Sequence, residues 1–319
     1  MRKVLAIALL ALAASFALAE VQNNGVAVAN TALQSGEADR ALSLLSSLPA
    51  SAETHNLRCR VYFTLERWDD AANECDQAVR LDDQSATNHL WLGRTLGEKA
   101  ENATWISAFN LAKRARAEFE RAVGLDPRDG EALTDLGEFY SSAPGVVGGG
   151  TDKAQTLVSP LEKVDPARAH VLLGRIAESR KDYGSAEREY KQAVTTSEHP
   201  AFGWMTLGSF YRKRERWDDM EAAVQSGYKA AQRDRHAGVA LYNGASILTR
   251  GKRNPVFAAK MLEEYLADYP KTEEGPAFEA YTRLARLRAQ LGDKNGAWQA
   301  RTAALGLAHD YKPALELTF

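Results

Sequence analysis

The sequence predicts an all-α fold, a right-handed α-solenoid of stacked helix–turn–helix repeats, and three periodic features predict it. One position, usually a small residue that lets paired helices approach, recurs every 30 to 44 residues, at Ala41, Ala71, Ala115, Ala154, Ala186, Met220, Ala258 and Ala297. A Leu-Gly pair recurs in the preceding segment, at Leu92-Gly93, Leu136-Gly137, Leu173-Gly174 and Leu207-Gly208. Proline ends predicted second helices at positions 127, 166 and 270. One helix pair buries only part of its apolar face, so neighbouring pairs must stack to complete a core.

The composition is that of a folded protein with a sizeable core. The chain has 319 residues, of which 45% are hydrophobic and 26% charged. These fractions exclude a disordered chain and a disulfide-dense miniature scaffold. With 40 basic and 42 acidic residues, the net charge is −2, so no global basic field is present to hold nucleic acid.

The first 19 residues have the layout of a secretory signal peptide. Arg2 and Lys3 form a positive start, residues 4–12 are apolar, and Ala17-Leu18-Ala19 is a small-x-small cleavage site. The apolar run is shorter than the roughly 20 residues that a spanning helix needs, and no later stretch approaches that length. We therefore expect an exported protein, most simply a periplasmic one, with a single solenoid over residues 20–319.

One unit carries the signature of a known repeat. The first-helix pattern W-x2-L-G-x2-Y is filled by Trp204, Leu207, Gly208 and Tyr211. The second-helix positions that follow are filled by Met220, Val224 and Gly227. The chain resembles the tetratricopeptide repeat (TPR), a helix–turn–helix unit of about 34 residues. The resemblance spans about residues 22–311 as roughly eight helix pairs, and it favours a solenoid over an ordinary helical bundle.

Two insertions, at residues 97–112 and 143–152, lengthen successive units. The first predicts an overlong second helix that begins at Trp105, with Thr104 as its N-cap. The second contains Gly148-Gly149-Gly150 and predicts a flexible connector, since a phosphate-binding loop would need a preceding strand and a different Lys position. Both insertions fall at the turn within a helix pair, so we expect them side by side on one edge.

Sequence motifs for catalysis and metal binding are missing from the chain. No H-E-x-x-H, C-x2-C or G-x-S-x-G pattern is present. His55, His89 and His170 occupy the slot of Trp204 in their units, and stacked helices about 8–10 Å apart would hold them too far apart for one metal. We predict half-buried packing roles for them, no cofactor, no metal and no enzyme activity.

Cys59 and Cys75 are the two cysteines of the chain. One replaces the glycine of a first helix and the other replaces the large residue of the paired second helix, so the two lie at similar height. In an oxidising compartment a structural disulfide is feasible, and two buried free thiols are the alternative. A bridge closing a loop of about 15 residues would stabilise the fold by up to about 3 kcal/mol.

The resemblance implies a binding surface. TPR proteins bind peptides or partner proteins in a concave groove lined by first helices, and the residue after the Leu-Gly pair tends to face that groove. On this chain the implied groove includes Asn56, Arg60, Phe63, Arg94, Glu138, Arg175, Arg212 and Arg286. Arginine suits carboxylate or phosphate. The alternative is that these arginines are solvated and pair with Glu138 and Glu178.

The predicted function is that of a non-catalytic, exported scaffold that binds a protein or peptide in the groove, whose arginines suit an acidic partner. Two alternatives stay open. One is a periplasmic chaperone, or secretion or assembly factor, that holds extended clients. The other is an envelope enzyme or substrate-binding component, which would show a deep pocket with converging polar groups.

Overall fold

The computed structural model describes residues 24–319, and the predicted signal peptide lies outside this range. The described residues form eight helix pairs and one short terminal helix. The first helices of the pairs are α1 (24–34), α3 (Ala52–Thr64), α5 (Ala86–Glu101), α7 (Gly130–Ser142), α9 (Pro166–Ser179), α11 (Pro200–Lys213), α13 (Val239–Arg250) and α15 (Ala277–Gln290). The second helices are α2 (Ala38–Ser46), α4 (Trp68–Leu81), α6 (Trp105–Leu125), α8 (Thr151–Val164), α10 (Tyr183–Thr196), α12 (Trp217–Ala231), α14 (Pro255–Asp268) and α16 (Lys294–Leu307). The helix α17 (Lys312–Leu315) follows, and the predicted all-α solenoid of helical repeats is confirmed.

A single backbone conformation makes the turn inside most pairs. One turn residue has a positive φ in six of the eight pairs, namely Gly36, Glu66, Lys181, Glu215, Lys252 and Gly292. This left-handed residue ends the first helix and lets the chain reverse within three or four residues. The other two pairs carry the insertions: the α5–α6 connection has no positive-φ residue, and those of α7–α8, Gly148 and Gly150, lie within the inserted segment. The regular turn is therefore what the insertions replace.

The two insertions take different forms. The first is absorbed as extra helix, which gives α6 a length of 21 residues. Thr104 stands at its N-cap, but the side chain bonds to the Ser107 hydroxyl (3.3 Å) and accepts no backbone N–H of the helix. The second insertion contains a 3-10 turn, Gly145–Val147, and Lys153 Nζ donates to the Gly148 carbonyl (2.8 Å).

The glycines of the Leu-Gly pairs permit close helix contact. A Cβ added to Gly174 on α9 would lie 2.4 Å from the ring of Tyr190 on the paired helix α10. Tyr190 is fully buried, and its hydroxyl donates to Glu178 (2.6 Å). The small residue therefore makes room for a large one on the partner helix, as the repeat pattern predicts.

The two ends of the solenoid pack against each other. One apolar cluster unites Val26, Leu33 and Leu45 of the first pair with Phe278 and Tyr311 from the end of the chain. The Phe278 and Tyr311 rings meet edge to face with centroids 4.8 Å apart. The array is consequently a closed ring, in which the first pair covers the apolar face that the last pair would otherwise expose.

The tightest backbone approach of the closure is at Gly36, in the turn between α1 and α2. Its φ is 72°, and an added Cβ would lie 2.3 Å from the amide nitrogen of Ala277. Both the dihedral angle and the contact require glycine here.

Across residues 24–319, no helix is both long enough and apolar enough to cross a membrane.

Candidate functional site

The inner face of the ring forms a central chamber of about 850 Å³ that is partly open to solvent. The first helices α3, α5, α9, α11, α13 and α15 supply most of its wall, joined by the segment between α14 and α15. In a repeat array the first helices share one side, so ring closure turns their common face into an enclosed surface. The chamber is the concave surface of this molecule.

One wall of the chamber is aromatic and aliphatic. It is formed by Phe202, Met205, Phe210, Tyr242 and Ile247, on the adjacent helices α11 and α13. Phe63 lies on the opposite side, where its ring makes edge-to-face contacts with Trp68 (5.3 Å) and Trp91 (5.4 Å). Aromatic surfaces of this kind supply contact area at small conformational cost.

Most of the groove arginines predicted from sequence have a carboxylate partner within the chain. Arg94 donates from Nε to Asp135 (2.5 Å) and from Nη2 to Glu131 (2.9 Å). Burial lowers the pKa of Arg94, but the charges and hydrogen bonds of the two carboxylates outweigh it, so its pKa is raised. Arg175 donates to Glu138 (2.7 Å), one of the two pairings that the sequence left open.

Arg212 differs from these arginines. It lines the chamber on α11, and it forms no ion pair or hydrogen bond with the described residues. Its Nε is buried without a partner, and so is the Nε of Arg175 on the neighbouring first helix α9. In the α9–α11 wall, Arg175 is therefore paired with Glu138, whereas the Arg212 side chain is left for a group that enters the chamber.

Arg286 lies away from the chamber. Its Nη2 donates to the Pro313 carbonyl (3.2 Å), and its side chain is exposed beside the terminal helix α17. The structure thus separates Arg286 from the chamber-lining residues Phe63, Arg175 and Arg212, because ring closure brings the chain end against α15.

The α5 side of the chamber is acidic. Burial raises the pKa of Glu98, and the neighbouring carboxylates Glu101, Glu66 and Glu138 raise it further. Burial and the Glu178 carboxylate likewise raise the pKa of the Tyr190 hydroxyl, which keeps it a hydrogen-bond donor. The chamber accordingly has a cationic wall at α11 and an acidic wall at α5.

Arg60 is bound by a segment that is distant in sequence. Its Nε donates to Glu273 Oε2 (2.9 Å) and its Nη2 to Oε1, while Gln34 Nε2 donates to the same carboxylate. The guanidinium also lies 5.2 Å from the centre of the Trp91 ring. The pair is largely buried, with side-chain exposures of 17% for Arg60 and 11% for Glu273.

A second cavity of about 560 Å³ lies beside α1, α3 and α5. Asn30, Asn56 and Arg60 line it. Asn56 is only 5% exposed, and its Nδ2 has no hydrogen-bond partner, as is also true of Asn30 Oδ1. The predicted residue Asn56 therefore faces this smaller cavity, whereas Phe63 faces the chamber.

Cys59 and Cys75 form a disulfide, with Cα atoms 5.2 Å apart. The bridge joins α3 to α4 one residue before Arg60, so it fixes the helix that carries Arg60 and Phe63. Its contribution is to the rigidity of this wall.

The three histidines of the shared slot make the same contact in their own pairs. Nδ1 bonds to a glutamate of the second helix, in the pairs His55–Glu74 (2.6 Å), His89–Glu118 (2.6 Å) and His170–Glu189 (2.8 Å). Each histidine is engaged within its own repeat. In the described part of the chain, a separate grouping of Asp39, His309 and Asp310 lies at the ring closure, where Arg67 already bonds to Asp310 (2.8 Å).

Sequence reasoning missed Glu273, Glu274 and Arg250, although all three line the chamber. The two glutamates lie between repeats, outside the position-by-position comparison of first helices. Two adjacent acidic residues before Gly275-Pro276 are a visible signal, but their meeting with Arg60 depends on ring closure.

Residues 167–199, which cover α9 and α10, match the family model of the tetratricopeptide repeat, and the predicted resemblance is confirmed. No curated protein matches the chain. A solved structure of a thermophilic TPR protein from Thermus thermophilus is similar at 20% identity, covering 62% of this chain and 100% of that chain, with a TM-score of 0.46. A structure of MamA is similar at 16% identity, covering 54% of this chain and 93% of that chain, with a TM-score of 0.36.

Proposed function

We propose that this chain, whose residues 167–199 match a repeat family that mediates protein–protein interaction, is a non-catalytic scaffold that binds a partner segment in the central chamber. The observation that carries this proposal is Arg212, an arginine of the chamber wall whose side chain has no carboxylate partner among the described residues.

The size of the chamber favours an extended segment over a folded domain. A volume of about 850 Å³ lies in the range of enclosed ligand sites rather than of open protein interfaces. A peptide strand or a chain terminus fits such a space, whereas a globular partner would meet only its rim.

Arg212 favours a segment with a carboxylate and an apolar side chain, although six carboxylates and five cations line the chamber as a whole. Arg212 presents a planar fork suited to a carboxylate, and Phe202 on the same helix offers a partly exposed apolar ring. A partly exposed ion pair contributes only about 0–1 kcal/mol, so the apolar contacts must supply most of the affinity. The acidic α5 side, at Glu98, sets the orientation of the segment by repelling its carboxylates.

We infer export to a periplasm from the layout of residues 1–19. Cell fractionation with an antibody against the mature chain tests this, together with N-terminal sequencing. Recovery from the periplasm with Glu20 at the N-terminus is expected, and a cytoplasmic chain that retains Met1 would contradict it.

A second candidate is a solute-binding component of the envelope. An enclosed chamber with converging polar groups, including Arg212, Arg250 and Tyr242, is the feature expected of such a protein. It predicts tight binding of a small dicarboxylate and none of peptides, so one set of titrations separates the two candidates.

Titration calorimetry with octapeptides of matched apolar content and acidic, neutral or basic character tests the scaffold. The acidic peptide should bind best, and Arg212→Gln should weaken it about tenfold, through loss of a charged hydrogen bond. Arg214→Gln is the matched control, because Arg214 lies over Tyr183 (4.2 Å) and away from the chamber lining. Equal binding of the three peptides, or normal binding by the Arg212 variant, would contradict the proposal.

A further inference from the structure

The segment between α14 and α15 lies at the ring closure, next to the first repeats. Its own side holds it at two places, where Tyr265 donates its hydroxyl to the Gly275 carbonyl (2.6 Å) and Asn243 Nδ2 donates to Glu274 (2.7 Å). The first two repeats hold it from the other side of the closure, where Arg60 and Gln34 both donate to Glu273. One acidic side chain therefore joins the two ends of the repeat array at the closure.

The contact at Arg60 has the form of ligand recognition. Two nitrogens of the guanidinium donate to the two oxygens of the Glu273 carboxylate, which is the bidentate geometry by which arginine binds acidic ligands. Arg60 is also held over Trp91, so its fork is fixed in direction. Arg60 is thus a built carboxylate site that is filled by the chain itself.

This ion pair separates the two cavities. Glu273 lines the chamber, whereas Arg60 lines the smaller cavity. The smaller cavity contains the unpartnered Asn56 Nδ2 on a side chain that is 5% exposed. Buried polar atoms in folded proteins nearly always have a partner in protein or ordered water, so Asn56 gives this cavity a free polar donor. Displacement of Glu273 would join the two spaces.

We propose that Glu273 is an autoinhibitory internal ligand of Arg60, which a carboxylate of an incoming acidic peptide replaces. The exchange keeps Arg60 paired throughout, so it avoids the large cost of leaving a buried charge without a partner. Glu273 then turns into the water of the chamber, and the peptide extends from the chamber toward Asn56. The proposal rests on the proposed function and adds Arg60 as a second binding residue with a built-in competitor.

Equilibrium binding of the acidic octapeptide of the calorimetric test, labelled with fluorescein, tests the competition. Glu273→Gln should bind the peptide about tenfold more tightly than the wild type, because a neutral amide competes poorly with a carboxylate for arginine. Glu274→Gln is the matched control, since Glu274 bonds to Asn243 and not to Arg60. The double variant Arg60→Gln/Glu273→Gln should lose the gain.

Hydrogen exchange on the wild type gives a second readout that needs no substitution. The Gly275 amide donates to the Thr272 carbonyl (3.2 Å), and the Thr272 amide donates to the Tyr265 hydroxyl (3.3 Å), so both amides are protected while the segment is seated. The acidic octapeptide at saturation should speed exchange at residues 272–275. The same peptide with glutamine in place of glutamate should not.

The outcomes separate the inference from the proposed function. One outcome is that the peptide binds in a way that depends on Arg212, while a folded Glu273→Gln protein keeps the wild-type affinity and exchange at 272–275 does not change. That result overturns the inference and leaves the proposed function standing. Binding by the Glu273 variant with none by the wild type supports the inference and shows a fully inhibited resting state. Binding by neither protein overturns both.

Discussion

The same five residues, Glu-Arg-Trp-Asp-Asp, occur at two turns of this molecule, at 66–70 and at 215–219. Locally the two turns are alike. The glutamate has a φ of 58° in one and 56° in the other, and in both the arginine stacks on a tyrosine and bonds to an aspartate. The partners are Tyr62 (4.6 Å) and Asp70 (2.8 Å) for Arg67, and Tyr211 (4.5 Å) and Asp219 (2.7 Å) for Arg216.

The long-range contacts of the two arginines differ. Arg216 Nη1 donates to Glu187, in the preceding repeat (2.5 Å). Arg67 Nη1 donates to Asp310, 243 positions further along the chain (2.8 Å). A short sequence therefore determines the turn, and the position of the repeat in the ring determines what the turn contacts. The ordinary junction and the ring closure use the same local structure for different partners.

The largest effect that distinguishes the two junctions is expected from Phe278→Ala. Phe278 is 1% exposed in the apolar cluster that joins the chain ends, and loss of such a ring costs about 3–5 kcal/mol. Chemical denaturation should show this loss, and small-angle scattering should show a larger radius of gyration because the closure weakens.

The control for this experiment is Phe119→Ala. Phe119 is buried in a cluster that lies within successive repeats. The Phe119→Ala variant should lose about as much free energy of unfolding as the Phe278 variant, but it should keep the scattering profile of the closed ring. An unchanged radius of gyration in the Phe278 variant would show that other contacts hold the ends together.

Gly174→Trp disturbs an ordinary pair instead of the closure. The added side chain would overlap the Tyr190 ring, and overpacking a tight core typically costs about 1–3 kcal/mol or more. The melting temperature should fall, and the backbone amides of α9 and α10 should lose protection from hydrogen exchange before those of the other helices. A melting temperature equal to that of the wild type would contradict the assigned contact between these helices.

Arg67→Gln and Arg216→Gln compare the two junctions by their charges alone. Both arginines are partly exposed, so each substitution should cost about 0–1 kcal/mol by chemical denaturation. Only Arg67→Gln should broaden the distribution of distances between the first and last repeats. Equal distance distributions in the two variants would show that Asp310 plays no part in closure.

The smallest effect concerns pH and the closure contact of His309. Its Nδ1 and its backbone N–H both bond to Asp39 (2.8 and 2.9 Å). The hydrogen bond and charge of Asp39 raise the pKa of His309, with a further rise from Asp310 and an opposing effect of Arg67.

The raised pKa fixes the sign of the pH dependence. The stabilising contribution of His309 is fully present below the unfolded pKa of about 6.5, and it is lost as pH rises through the raised folded pKa. The side chain is 77% exposed, so the effect should be small. The contact between His309 and Asp39 should therefore hold the chain end against the first helix pair slightly more strongly at pH about 5.5 than at about 8.5. His309→Gln should remove the difference, and a difference of the opposite sign would contradict the assignment.

The features that sequence predicted and those it missed differ in range along the chain. The packing of Gly174 and the slot shared by His55 and His89 follow from residues within one repeat. The Arg60–Glu273 pair does not, because it depends on the small rotation between repeats summed over the whole array. No pattern within one repeat specifies that sum.

The most direct test of the closed ring is the distance between its ends in solution. Spin labels at Arg40→Cys on α2 and Lys312→Cys on α17 would occupy exposed positions on either side of the closure, while Cys59 and Cys75 remain bridged. Double electron–electron resonance on the labelled chain should give one narrow distribution at short distance, since His309, three residues from one label, contacts Asp39, next to the other. A broad distribution centred at long distance would show an open solenoid, and the chamber described above would not exist as an enclosed site.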